Sequence, residues 1–185
     1  ESVYVSNVTS NKICIIDAFT HTLKAQVSVG LFPYGLCIKP DGSRVYSFNS
    51  QSNSISVINT STNTVLTTIP CNGAPFYGAC SPNGQFLYVS RSDLNAIAVI
   101  NTITNTIVAN INVGNAPRGI AVSPDGTKIA TASYDNTLKI WAVNSGATLY
   151  TLSGHRELVY AVSWSPDGSK VASGSGDQTA KIWFV

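Results

Sequence analysis

Methionine is missing from all 185 residues, and histidine occurs only twice. His21 sits in a Thr-His-Thr turn with no ligand partner at metal spacing, so no metal site is expected there. Charge is scarce as well: eleven lysines and arginines stand against nine aspartates and glutamates. The basic residues are scattered singly, so no stripe exists to follow phosphates, and nucleic acid is not an expected partner. No apolar run comes near the roughly 18 residues of a membrane helix, and no amphipathic helix appears, so no membrane insertion is expected. Cys14, Cys37, Cys71 and Cys80 show no C-x-x-C spacing. Three of them fall inside apolar strand patterns and read as buried thiols acting as small hydrophobes. Glu1 opens almost directly on a strand in mid-repeat, which reads as a processed, trimmed or partial chain without its targeting segment.

What the chain has in abundance is repetition. Lys39-Pro40-Asp41-Gly42, Ser81-Pro82-Asn83-Gly84, Ser123-Pro124-Asp125-Gly126 and Ser165-Pro166-Asp167-Gly168 place their glycines 42 residues apart. A β-rich triplet follows each: Val45-Tyr46-Ser47, Leu87-Tyr88-Val89, Ile129-Ala130-Thr131 and Val171-Ala172-Ser173. One step further back lies Val3-Tyr4-Val5. Proline sets φ, Asp or Asn bonds the nearby backbone, and glycine takes the positive-φ corner, so each tetrapeptide is a turn. Self-similarity at this period predicts a β-propeller in which one repeat makes one four-stranded blade. The expected fold is all-β, with about five blades from four full periods and a partial one, in a single domain over residues 1–185.

Period-2 alternation and turn signals place four strands, a to d from the inside outward, in each repeat. The first repeat lacks strand a and offers b at 2–6, c at 13–17 and d near 23–29. Later a strands are expected near 34–39, 76–81, 118–123 and 159–165. The last repeat supplies a, b and c, with no d. The two chain ends therefore both carry b and c and cannot merge into one standard blade. Three arrangements follow: a five-bladed monomer with two three-stranded blades, a piece of a larger ring, or molecules joined head to tail through their terminal strands.

Two flavours of repeat are present. Val3-Tyr4-Val5-Ser6-Asn7, Ile58-Asn59-Thr60, Leu87-Tyr88-Val89-Ser90 and the run Val113 to Gly126 resemble the YVTN-type repeats of microbial surface-layer propellers. From about Thr127 the chain is similar to WD repeats, with Leu138-Lys139-Ile140-Trp141, Gly154-His155 and Asp177-Gln178-Thr179-Ala180-Lys181-Ile182-Trp183. The change of flavour also allows a recombined or engineered chimera. The WD resemblance implies a hydrogen-bonded set, His155, Ser173, Asp177 and Trp183, that ties the d–a loop to the b–c turn and strand c. Ser-His-Asp could suggest catalysis, but the resemblance implies a structural role. The preceding repeat keeps Asp135 and Trp141, has Thr131 for the serine and lacks the histidine, so its set is expected to be incomplete.

Asp93, Asp135 and Asp177 share one phase of the repeat and read as b–c turn residues, and Asp41, Asp125 and Asp167 belong to the repeated turn. No carboxylate cluster suited to acid–base or metal chemistry remains, so no enzyme, catalytic residue or cofactor is expected. Two sequons, Asn7-Val8-Thr9 and Asn59-Thr60-Ser61, fall at strand ends or turns. The d–a loops carry aromatic and arginine side chains of the kind that anchor interfaces. Phe32, Tyr34, Phe76, Tyr77, Arg118 and Arg156 are thus the candidate binding residues, against the alternative that the rings pack between blades. The expected function is a non-enzymatic binding or scaffold module at the cell surface or outside it, with the cytoplasm as the alternative. Its expected partner is a protein or glycan. The second reading is a self-assembling structural protein, homo-oligomeric through its unpaired terminal strands.

Overall fold

A computed structural model describes all 185 residues, and every regular element is a strand. Sheet I comprises β1 (Ser2–Asn7), β2 (Lys12–Asp17) and β3 (Leu23–Ser28). Sheet II comprises β4 (Pro33–Ile38), β5 (Arg44–Asn49), β6 (Ser54–Asn59) and β7 (Thr64–Pro70). Sheet III holds β8 (Pro75–Cys80), β9 (Phe86–Arg91), β10 (Ala96–Asn101) and β11 (Thr106–Asn112). Sheet IV holds β12 (Pro117–Val122), β13 (Lys128–Ser133), β14 (Thr137–Ala142) and β15 (Thr148–Ser153). Sheet V ends the chain with β16 (Val159–Trp164), β17 (Lys170–Ser175) and β18 (Ala180–Phe184). Strands neighbouring in sequence neighbour in each sheet, as in an antiparallel meander. There is no helix long and apolar enough to cross a membrane.

The repeated turn forms as its residues dictate. Gly42, Gly84, Gly126 and Gly168 sit at φ between 68° and 74°, a region that only glycine enters without strain. Their amides donate to the carbonyls of Lys39, Ser81, Ser123 and Ser165 at 2.8–2.9 Å. Asp125 Oδ1 then accepts the Thr127 amide, and Asp167 Oδ1 the Ser169 amide, each at 3.0 Å. A register shift recurs where the third strand of a sheet meets the fourth, at Val57/Ile58, Val99/Ile100 and Ile140/Trp141. Such bulges increase local twist.

Two compact units divide the chain, Glu1–Tyr77 and Gly78–Val185, with the boundary inside β8. In the first, Ile13, Ile15 and Val27 of sheet I pack against Val45 and Ile58 of sheet II. In the second, Tyr88, Ile97 and Val99 of sheet III meet Ile120 and Ile129 of sheet IV. Ala130, Ala132, Leu138 and Ile140 of sheet IV meet Val159 and Val171 of sheet V. A Cβ on Gly119 would lie 2.7 Å from the Tyr160 carbonyl oxygen, so this glycine lets β16 approach β12. The cysteines depart from expectation: only Cys71 is buried, whereas Cys14, Cys37 and Cys80 are half-buried. Cys14 pairs with Val5 on the open face of sheet I, and Cys37 and Cys80 lie on the edge strands β4 and β8.

Candidate functional site

Before β16 the chain passes through Gly154 and His155, and the imidazole turns inward to be buried. Its Nδ1 lies 2.9 Å from Asp177 Oδ2 and its Nε2 lies 2.8 Å from Ser173 Oγ. Trp183 Nε1 donates to the same Ser173 Oγ at 2.9 Å. With that lone pair taken, the Ser173 hydroxyl donates to Nε2, and Nδ1–H donates to Asp177; this tautomer satisfies every partner. Asp177 also accepts the amides of Arg156 and Thr179, each at 2.9 Å, and the Thr179 hydroxyl at 2.6 Å. The Thr179 hydroxyl and then the Arg156 amide hold its carboxyl well below the ordinary carboxylate range. A serine that is buried and shared between tryptophan and histidine offers no free nucleophile. The geometry therefore suits a loop tie. In sheet IV, Trp141 Nε1 donates to Thr131 Oγ1 at 2.9 Å, while Asp135 accepts the Thr137 amide at 3.0 Å. Val113 stands where the histidine would be, 42 residues before His155.

Earlier repeats fasten their loops with asparagine, and in the other direction. Asn11 Oδ1 accepts the Phe32 amide at 2.9 Å, and Asn95 Oδ1 accepts the Ala116 amide at 2.8 Å. Each asparagine precedes its loop by 21 residues, whereas Asp177 follows Arg156 by 21. Phe32 and Ala116 occupy the left-handed region at φ 60° and 44°. For a bulky side chain that is a strained conformation that its surroundings must hold. The Ser50 amide donates to the Phe32 carbonyl at 3.0 Å and completes the clamp.

Phe32, Tyr34, Phe76 and Tyr77 come together in the first unit. Tyr34 meets Phe76 edge-on at 5.4 Å and Tyr77 at 5.7 Å, and Phe32 stacks at 6.4 Å from Tyr34. The rings pack on one another while Phe32, Tyr34 and Tyr77 remain exposed. Arg118 belongs to a different group in the second unit. Its guanidinium lies 4.8 Å from the centre of the Tyr134 ring, which meets Tyr160 edge-on at 5.8 Å. Arg156 is exposed and is tied through its backbone to Asp177. Tyr134 and Tyr160 were not singled out by the sequence reading. A signal for the second was present: Tyr34, Phe76, Arg118 and Tyr160 stand 42 residues apart, one position in four successive sheets. No group of three or more His, Cys, Asp and Glu side chains gathers as metal ligands would. A separate groove of about 680 Å³ in the second unit, lined by Tyr88, Asn110, Val143 and Ser145 among others, holds none of the candidate residues.

Comparison with solved structures gives the class. The chain superposes on a chain of Kuenenia stuttgartiensis hydrazine synthase with a TM-score of 0.88 and 26% identity, covering 93% of this chain and 51% of that one. With its succession of small antiparallel meanders, this is a β-propeller protein. Residues 110–142 and 146–183 match the family model of the WD domain, G-beta repeat. These two segments are accordingly similar to WD repeats, and the match begins upstream of Thr127, where the sequence placed the change of flavour. Curated relatives include the dynein assembly factor with WD repeat domains 1 of Danio rerio, 58% identical over 33 residues, and that of Rattus norvegicus, 54% identical over 33 residues. Each match covers 18% of this chain and 8% of the relative. The chain thus spans about half of the solved neighbour and a small part of the curated relatives.

Proposed function

We propose that the chain is a non-enzymatic protein-binding scaffold whose loop-borne aromatic and arginine side chains make the contacts. One observation carries this reading: Phe32, Tyr34 and Tyr77 are exposed yet held in a mutually packed cluster. Rigid aromatic surface anchors partners because little side-chain freedom is lost on binding. The Ser-His-Asp constellation supports the same reading, since its polar atoms are consumed in fastening a loop. The solved neighbour is named for an enzyme and the curated relatives for an assembly factor, so fold alone does not decide between the classes. In the finer form of this proposal each sheet is one blade, giving five. The YVTN-type resemblance of the first half is what supports a cell-surface or extracellular setting.

A displayed peptide library and a glycan array, each probed with the purified chain, test the proposal. Peptide ligands whose binding falls at least tenfold in Tyr34→Ala and Tyr77→Ala, with unchanged melting behaviour, are the expected result. Glycan binding with no peptide ligand would replace the protein partner by a sugar. Peptide binding indifferent to both substitutions would remove the aromatic cluster from the site.

A further inference from the structure

Asparagine followed by glycine is chemically labile. The glycine nitrogen can close on the side-chain carboxamide before it, and no Cβ shields that nitrogen. The chain holds two such pairs, Asn72-Gly73 in the loop between β7 and β8 and Asn83-Gly84 in a repeated turn. Exposure does not separate them, since both asparagines are exposed and both glycines are buried. Hydrogen bonding does.

In the turn, every reacting group is held. Asn83 Oδ1 accepts the Ser81 hydroxyl at 2.7 Å and the Gln85 amide at 3.1 Å, and Nδ2 donates to Gln85 Oε1 at 3.4 Å. The nitrogen that would attack, that of Gly84, donates to the Ser81 carbonyl at 2.8 Å. Ring closure at Asn83 must break several of these bonds together, and giving up two of them lowers the reactive population about tenfold or more. In the loop, Asn72 sits at φ 49° and Gly73 at φ 154°. Neither the Asn72 carboxamide nor the Gly73 amide is engaged in a hydrogen bond, so none has to be given up for them to meet.

We propose that Asn72 is a site of spontaneous deamidation and that the fold protects Asn83. The Gly73 nitrogen attacks Asn72 Cγ, a C–N bond forms, and the carboxamide nitrogen leaves as ammonia, carrying the proton that Gly73 gives up. Water then opens the resulting succinimide at either carbonyl, which yields aspartate or the isoaspartate whose main chain runs through the side chain. One water is consumed, one ammonia is released, and the formal net charge of +2 falls by one. The new carboxylate stands in the loop that leads into Phe76 and Tyr77 of β8. The inference does not rest on the contacts proposed for those rings.

Storage of the purified whole chain at mildly alkaline pH, sampled over time, tests it. Chymotrypsin cuts after Tyr77, between the two pairs, and peptide mass spectrometry then follows each one. The Asn72 peptide is expected to gain one mass unit about tenfold or more faster than the Asn83 peptide. Enzymatic carboxyl methylation should detect isoaspartate in it. In concentrated urea, where the turn bonds are lost, the two rates should converge. Ser81→Ala, which removes one bond from Asn83, should speed the reaction there and leave Asn72 unchanged; should that variant fail to fold, the comparison of native and urea-treated wild type decides alone. Equal rates in the folded chain, or faster loss at Asn83, overturn the inference. So does an Asn72 that reacts only in urea, a preference for Asn72 that persists in urea, or aspartate formed without isoaspartate.

Discussion

Asp177 shows how one side chain decides the position of a loop. It takes the His155 imidazole, the Arg156 amide and the Thr179 amide and hydroxyl at once. Asp177→Ala removes the close partner of a buried imidazole nitrogen and leaves only the Thr179 hydroxyl at 3.4 Å, a change that costs about 1–3 kcal/mol. Equilibrium urea unfolding should report that loss, with a similar loss for His155→Ala and little further loss in the double variant, because the two share one network. Thr179→Ala should cost less. Asn11 plays the matching part for Phe32, and Asn11→Ala is expected to release the φ 60° residue it holds. Amide exchange at Phe32 should then accelerate while exchange in β5 stays unchanged. The WD set could be read from sequence because its residue types are distinctive. The asparagine tie could not, because Asn11 follows Asn7, Thr9 and Ser10, which bond locally, and nothing in their order shows which side chain reaches across.

At the scale of elements, the repeated turns make the fold responsive to acid. The Ser123 hydroxyl and the Thr127 amide hold Asp125 at about 2, and the Ser165 hydroxyl and Ser169 amide hold Asp167 at about 2. Asp17 lies lower still through the Thr20 and Phe19 amides and Lys24, and Asp41 through Lys39 and Ser43. Each carboxylate is depressed on folding, so its contribution is complete above the unfolded value of about 4 and is lost as pH falls toward the folded value. The melting temperature should therefore be flat from about pH 5 to 7 with respect to these groups and drop between about pH 4 and 2. Asp125→Asn should make that drop shallower. Strand positions and turns were legible because each feature occurs several times at one spacing. Half-burial of Cys14, Cys37 and Cys80 was not, since it depends on which sheet face or edge lies open.

At the largest scale, the close approach of one sheet to the next depends on glycines in first strands, Gly35 beside the Phe76 carbonyl in the first unit and Gly119 beside the Tyr160 carbonyl in the second. Gly119→Ala would drive a Cβ to 2.7 Å from the Tyr160 carbonyl oxygen and 3.1 Å from Ala161 Cα. Neither is the end of a flexible side chain, so a loss of about 1–3 kcal/mol is expected, measurable as a lower melting temperature. Gly42→Ala meets no atom within 4 Å but sits at φ 71°, so its cost should be purely conformational. The aromatic contacts belong to this scale as well. Phe32, Tyr34, Phe76 and Tyr77 were all named from their loops, yet their meeting, and the separate company of Arg118 with Tyr134, depend on how successive sheets stack.

The opposite directions of the two loop ties bear on how portable a repeat is. A segment such as 154–185 carries both ends of its own fastening, His155 and Arg156 at one end and Asp177 at the other. Grafted into another scaffold, it would bring its loop geometry with it. The Phe32 loop is held at its amide by Asn11, in the turn between β1 and β2, and at its carbonyl by Ser50, so sheet II transplanted alone would keep only the Ser50 half of the clamp. The last segment is thus a self-contained cassette, whereas the loops of Phe32 and Ala116 take part of their shape from the repeat before.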